Sequence, residues 1–562
     1  MPADGAAGLR IYGAATRLVA GWMDDWIVDD DETGRLLYSA SYGCGGGGGH
    51  RLTSSPREAP VDADGMDWSS VSPCDLDRDF APQIAQLLAT PPLHSAKALP
   101  SFRPHLFASQ FLQLNVLVAA VEYYDKLIES KKQGGIRVTN SGKHGKGVCA
   151  NRDFDEGDLV LKDQMLVGAQ HSLNKIDCMV CSYCFRFIGS VEFQIGRRLY
   201  LQSIGTGNDG TFDRHCHGSD AGSSTGCSSA THGNAHAVPQ EVIMSLMAGD
   251  MQLPFTDRFA LPSVVACPGG CEGELYCSQS CADSDWDSYH SLLCTGSKTE
   301  PLRRSALQKF VEHANGTNDI FLVAAKAITY TMLRYKNIKR QHASQNKKDE
   351  SSFSFLMEAW KPLSMGFKKR WWECVSLPED VDSSKEDSFR QDIRDMAFTS
   401  LQLLKDAIFD PECAPLFSLD VYGHIIGMFE LNNLDLIVAS PVEDYFIYID
   451  DLPDREKEEA EKVTGPFLDA LGEDYSVPCE GTAFFPLQSC MNHSCCPNAK
   501  AFKRDEDKDG HAVIIALEPI GKDDEVTISY IDEDLPYEDR QAQLADYGFT
   551  CTCTKCQEER PN

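Results

Sequence analysis

The apolar residues of this chain fall into blocks of two periods. Short β-type runs occur at Ile136–Val138, Val148–Ala150 and Leu159–Leu161, the last two separated by the turn Asp155–Asp158. Between 109 and 128 the apolar positions recur every three or four residues, in FLQLNVLVAAVEYYDKLI, which predicts a helix. The same period runs through DIFLVAAKAITYTMLRY and SFRQDIRDMAFTSLQLLKDAI, so 301–463 reads as mostly helical. Strict alternation returns late, where Val526, Ile528 and Tyr530 share one face of a predicted strand. The first hundred residues carry neither period. Their glycine run Gly45–Gly49 leads into Ser-, Pro- and Asp-rich sequence, which predicts little order.

Cysteine changes this picture. Cys181-x-x-Cys184, Cys267-x-x-x-Cys271, Cys277-x-x-x-Cys281 and His290-x-x-x-Cys294 are eight sulfur or imidazole ligands in four pairs, a set that suits two tetrahedral zinc ions. Cys551, Cys553 and Cys556 lie within six residues and point to a third zinc site, with a fourth sulfur from elsewhere. Cys495 is the first choice for that ligand. Its neighbour Cys496 competes with it, His493 is a further alternative, and Cys178 competes with Cys181 or Cys184. His215, Cys216, His217, Cys227, His232 and His236 lie in Gly/Ser-rich sequence that reads as a polar loop.

At 562 residues, and about 150 per domain, the chain has room for three or four units. With 84 acidic and 52 basic side chains its formal charge is −32. That argues against nucleic-acid binding through overall charge and suits basic partners such as lysine-rich tails. The amino-terminal sequence has no basic stretch followed by an unbroken apolar run, and no segment of about 18 apolar residues occurs. Neither a secretory signal nor a membrane span is expected, and the 22 cysteines fit a reducing compartment.

The motifs NHSC-x-PN, ISY-x-D and Y-x-F-x-C-x-C-x-x-C, in that order from Asn492 to Cys556, resemble the SET-domain lysine methyltransferases. The glycine loop Lys143–Gly147 resembles that family's first signature, and the cysteine block 178–294 resembles a MYND finger. A SET core interrupted by a finger and helices is similar to the SMYD arrangement. The sequence stops soon after Cys556 without the helical-repeat domain of several SMYD proteins, which places the resemblance nearest the plant trithorax-related group.

The resemblance implies an α+β multidomain fold. Its β-rich SET core, with a pseudoknot, is split by a MYND-type zinc finger and a helical insert and followed by a cysteine-rich post-SET zinc tail. The expected segments are 1–107, largely disordered; 108–133, a helix; 134–177, the first part of the core; 178–294, the finger with a long insertion; 295–475, the helical insert; 476–535, the rest of the core; and 536–562, the tail. The finger family binds metal crosswise, which would group Cys181, Cys184, Cys277 and Cys281, and separately Cys267, Cys271, His290 and Cys294.

By the same resemblance, Tyr530 and Tyr547 are the catalytic channel tyrosines. S-adenosyl-L-methionine would meet His144, Gly145 and Lys146 at its methionine end. Asn492, His493 and Phe549 would meet it at adenine, the first two through backbone and side chain, and Asn432 and Tyr530 would complete the pocket. The implied activity is methyl transfer to a histone lysine, in the nucleus and secondarily the cytoplasm, with transcription factors as partners of the finger. Two alternatives stay open: an inactive adaptor that binds proline-rich peptides, and a methyltransferase of non-histone lysines.

Overall fold

In a computed structural model of the chain, residues 77–89, 123–140, 145–205, 238–344, 351–366, 368–378 and 381–561 are described. The strands are β1 (Ile136–Asn140), β2 (Lys146–Ala150), β3 (Leu159–Asp163), β4 (Val167–Gln170), β5 (Val265–Ala266), β6 (Leu275–Tyr276), β7 (Asn433–Val438), β8 (Cys479–Phe484), β9 (Asn492–His493), β10 (Ala499–Ala501), β11 (Ala512–Ala516) and β12 (Glu525–Ile528). Three small sheets, ordered β1-β2-β12-β9, β10-β11-β3 and β4-β8-β7, join strands far apart in sequence. β12 pairs antiparallel with β2 (Val526↔Val148) and parallel with β9 (Thr527↔Asn492).

The pairing follows the burial pattern. Val526 and Ile528 point into a core with Val148, Ile136, Leu161 and Met491, while Glu525 and Thr527 face the other way and make polar contacts. A one-residue slip would expose that apolar pair, so the register is strongly held.

The helices are α1 (Ala81–Leu88), α2 (123–130), α3 (Val191–Gly205), α4 (Gln240–Ala248), α5 (Pro301–Gly316), α6 (Ile320–Ser344), α7 (Ser352–Ser364), α8 (Glu386–Ile408), α9 (Leu419–Asn432), α10 (Pro441–Asp450), α11 (Asp454–Leu471) and α12 (Tyr537–Asp546). α5–α9 build the largest apolar core, which reaches Val167, Ala169 and Phe484 on the third sheet. Trp371 is buried there, while its neighbour Arg370 pairs with Asp420 and Glu373 at the surface.

The described residues add detail to the sequence reading. The amino-terminal region expected to be largely disordered contains α1, whose Ile84 and Leu87 enter the α5–α9 core; Trp360 Nε1 donates to Leu87 O at 2.7 Å. The helical insert 295–475 contains β7, and its α10 and α11 pack against α3 and α4 from the finger's long insertion, forming a separate apolar core. Two stretches of modest amphipathicity, each unable to bury its apolar face alone, find each other across the chain. The predicted helix at 109–128 is described only from residue 123, and residues 206–237 with their histidines lie outside the described residues.

Candidate active site and metal centres

β9 is placed by a buried carboxylate. Asp163, at the end of β3, accepts the backbone N–H groups of Leu487 (2.7 Å) and Gln488 (3.1 Å) and an ion pair from Lys131 (2.6 Å). It caps the short helix Gln488–Cys490, from which Met491, Asn492 and His493 emerge. Asn498, after the turn at Pro497, then serves as a side-chain strand partner. Its amide donates to Glu525 O (2.8 Å) and accepts from Thr527 N (2.9 Å).

Several of the residues expected at the cofactor and channel contact this frame or one another. Asn492 Nδ2 donates to Lys146 O (2.8 Å) and Glu525 Oε1 (2.7 Å), joining the glycine loop to β9. Gly145 holds φ +81°, a left-handed conformation that L side chains avoid, and a β-carbon there would meet nothing within 4 Å. Lys146 turns its ammonium to Tyr124 Oη and Met365 O. Asn432 closes α9 by donating to Met428 O (2.8 Å). His144 lies outside the described residues.

The aromatic wall is compact. Tyr530 lies 5.3 Å from Tyr547, 6.3 Å from Phe549 and 5.4 Å from His493, centroid to centroid; His493 lies 5.9 Å from Phe549. The Tyr530 hydroxyl donates to Met491 O. Burial pushes both phenols above their usual range, and for Tyr547 the carboxylates Glu430, Asp435 and Asp546 add to it. Both stay neutral, so each keeps a proton to donate and lone pairs to accept.

His493 uses both ring nitrogens on the protein. Nδ1 accepts the backbone N–H of Tyr530 at 3.0 Å, and Nε2 faces Cys495 Sγ at 3.3 Å. Burial, and then the nearby Arg540, lower the ring to about 4, so it is neutral.

Three groups of four ligand atoms each lie within 4.8 Å of one another: Cys181, Cys184, Cys277 and Cys281; Cys267, Cys271, His290 and Cys294; Cys495, Cys551, Cys553 and Cys556. Sulfur–sulfur distances of 3.5 Å (Cys184–Cys277, Cys277–Cys281, Cys495–Cys556) and 3.8 Å (Cys267–Cys294) approach the edge of a zinc–thiolate tetrahedron, ~3.8 Å for bonds of ~2.3 Å. The alternatives fall outside these groups. Cys178 donates to Pro478 O (3.3 Å) and burial pushes its thiol up to about 12; Cys496 is exposed; His493 points at a ligand sulfur instead of joining the set.

Sequence reasoning missed the groups that support these atoms. Arg540, 1 % exposed, places Nη2 3.8 Å from Cys556 Sγ and 2.6 Å from Glu559 Oε2. Gln541 Nε2 donates to Cys556 Sγ (3.2 Å), and Gln541 Oε1 accepts Cys551 N (3.0 Å). The available signal was Arg540 standing four residues before Leu544, in the apolar register of its helix.

A family model described as the SET domain matches residues 145–531. The chain is 60% identical over 448 residues to the histone-lysine N-methyltransferase ATXR2 of Arabidopsis thaliana, across 78% of this chain and 93% of that protein. It is 22% identical over 454 residues to the protein-lysine N-trimethyltransferase SMYD5 of Danio rerio, across 77% and 90%. It is 26% identical over 444 residues to the SMYD5 of Gallus gallus, across 75% and 85%.

Proposed function

The chain belongs to the SET-domain family, and on that premise we propose that it is a histone-lysine N-methyltransferase of the nucleus, using S-adenosyl-L-methionine and holding about three structural zinc ions. The observation that carries the reading is the meeting of Tyr530, Tyr547 and Phe549 with the Asn492–Lys146 junction, contributed by segments more than 300 residues apart. The parallel pairing of β9 with the later β12, with Asn492 reaching across to β2, supports the family's pseudoknot in this core.

S-adenosylmethionine, when bound, supplies a sulfonium methyl as the electrophile. Gly145 and the backbone of Lys146, held by Asn492, form a rim for its amino-acid end, and Phe549 and the His493 backbone a wall for its adenine. The substrate lysine must arrive as a free amine although its usual pKa is near 10.4. The aromatic channel removes water from the ammonium and so disfavours the charged form. Tyr530, its hydroxyl tied to Met491 O, and Tyr547 offer oxygens that orient the amine and limit its approach to one line. Such alignment is worth about 7–11 kcal/mol in the best cases.

The test is single-turnover methyl transfer on histones and on a panel of non-histone proteins, with wild type and Tyr530→Phe. The variant is expected to lose about a hundredfold to a thousandfold in rate with cofactor affinity unchanged, as for other single positioned hydrogen-bonding groups. Transfer to non-histone proteins alone would replace the histone reading. Absence of transfer to any protein would leave the adaptor.

A further inference from the structure

We propose that His493 is a positioning residue that couples the tail metal centre to Tyr530, with its two ring nitrogens as the two ends of the link. The inference rests on the proposed zinc occupancy of Cys495, Cys551, Cys553 and Cys556.

A backbone N–H can only donate. The bond from Tyr530 N to Nδ1 (3.0 Å) therefore makes Nδ1 the unprotonated nitrogen, and the proton of the neutral ring sits on Nε2. Nε2 lies 3.3 Å from Cys495 Sγ, so this N–H is aimed at a ligand sulfur. A ligand thiolate is a strong acceptor, and a bond of this kind fixes both tautomer and ring orientation. The ring then holds the Tyr530 backbone just after the end of β12, while the Tyr530 hydroxyl is held at its other end by Met491 O. Met491, the His493 backbone and Tyr530 are thus locked in one short circuit. The sulfur of Cys495 is the only part of it that belongs to the metal centre.

The centre is built to need such donors. Four thiolates around one divalent zinc leave two negative charges, in a pocket where Cys495 and Cys556 are each 2 % exposed. Three side chains answer that charge: Nε2–H of His493 on Cys495, Nε2–H of Gln541 on Cys556, and the guanidinium of Arg540 beside Cys556. Arg540 and Gln541 come from α12, which leads straight to Tyr547 and Phe549. His493 alone among the three also reaches the channel tyrosine on β12's side. Without metal, Cys495 Sγ is no longer fixed against Cys551, Cys553 and Cys556, so the ring loses its anchor and the Tyr530 amide its fixed partner.

Two quantities test this on the full-length protein: zinc release to a chelator, and hydrogen exchange at the Tyr530 amide by mass spectrometry. Zinc analysis of the wild type tests occupancy by itself, so failure there is distinguishable from failure of the link. Selective loss of the tail zinc from wild type is expected to raise Tyr530 exchange. His493→Ala is expected to raise it with zinc still bound and to speed release of the tail zinc about tenfold or more, leaving the finger zincs as they were. His493→Asn and His493→Gln separate the ends and keep the test open should His493→Ala not fold. Asparagine can accept from Tyr530 N yet falls short of Cys495; glutamine can reach Cys495 yet leaves Tyr530 N. The expected result is normal Tyr530 protection with fast zinc release in the first, and the reverse in the second. Wild-type Tyr530 exchange that is indifferent to tail zinc would overturn the link. So would a His493→Asn variant with both quantities at wild-type values.

Discussion

The finger gathers one four-cysteine set and one of three cysteines and a histidine, the tail one four-cysteine set, and the surroundings differ. In the finger, sulfurs are answered mainly by its own backbone: Gly269 N lies 3.2 Å from Cys267 Sγ, and Gly296 N 3.4 Å from Cys294 Sγ. Those turns admit only glycine, because a β-carbon on Gly269 would lie 2.3 Å from Cys294 Sγ and one on Gly296 2.3 Å from Gly269 O. The finger's apolar cluster consists of its own residues, and it is anchored to α6 by Tyr289 stacked on Tyr330 at 5.8 Å. In the tail, the backbone N–H of Cys553 on Cys551 Sγ (3.5 Å) is joined by side-chain donors from α12 and β9, and the cluster includes Tyr530, Tyr547 and Phe549. The finger's two sets are closed on the finger itself; the tail set is completed by, and completes, the site. Similar ligand chemistry therefore carries different functional weight according to which side chains share its core.

The largest expected effect breaks the tail. Cys556→Ser should lower zinc from about three to about two per chain and cut methyl transfer by about a thousandfold or more. It disturbs Tyr530, Tyr547 and Phe549 together, and one lost donor alone accounts for about a hundredfold to a thousandfold. Elemental analysis and single-turnover kinetics on the same sample check both halves.

The matching change in the finger, Cys277→Ser, should also remove about one zinc, yet leave turnover within a few-fold. Its cost should appear in thermal melting, since loss of a structural metal removes folding free energy. A turnover loss equal to that of Cys556→Ser would erase the contrast between the regions.

The smallest effect sharpens the contrast from a site that touches neither centre. Lys368, buried beside the glycine loop, donates to Ser364 O (2.8 Å) and Gly366 O (3.2 Å); burial, and then Lys146, lower it to about 7. Between pH 7 and about 10 the unfolded chain holds a proton here that the folded chain does not. This group therefore makes stability rise with pH across that window. Lys368→Met should flatten that part of the Tm–pH curve by about a few °C, with zinc content unchanged. An unchanged slope would mean that the ammonium is solvated in the native state.

Much was legible in the sequence because it is local. Alternation marked β12, spacing marked the ligand pairs, and Pro497-Asn498 marked the turn that β12 uses. These signals depend on residues within a few positions of each other, where side-chain direction follows backbone period. The resemblance paired the ligand segments in advance, but the tertiary structure alone decided which supporting side chains meet them. Arg540 reads as a surface charge until α12 lies on the thiolates, and Asp163 as a strand-end acid until the Leu487 amide closes on it. α1 sits in sequence that predicts disorder and orders by burying Ile84 and Leu87 against helices more than 200 residues away. Burial of a polar or weakly amphipathic segment is stabilised by partners outside its own window, so a local pattern such as the helical register of Arg540 could mark the buried face but not the partner it meets.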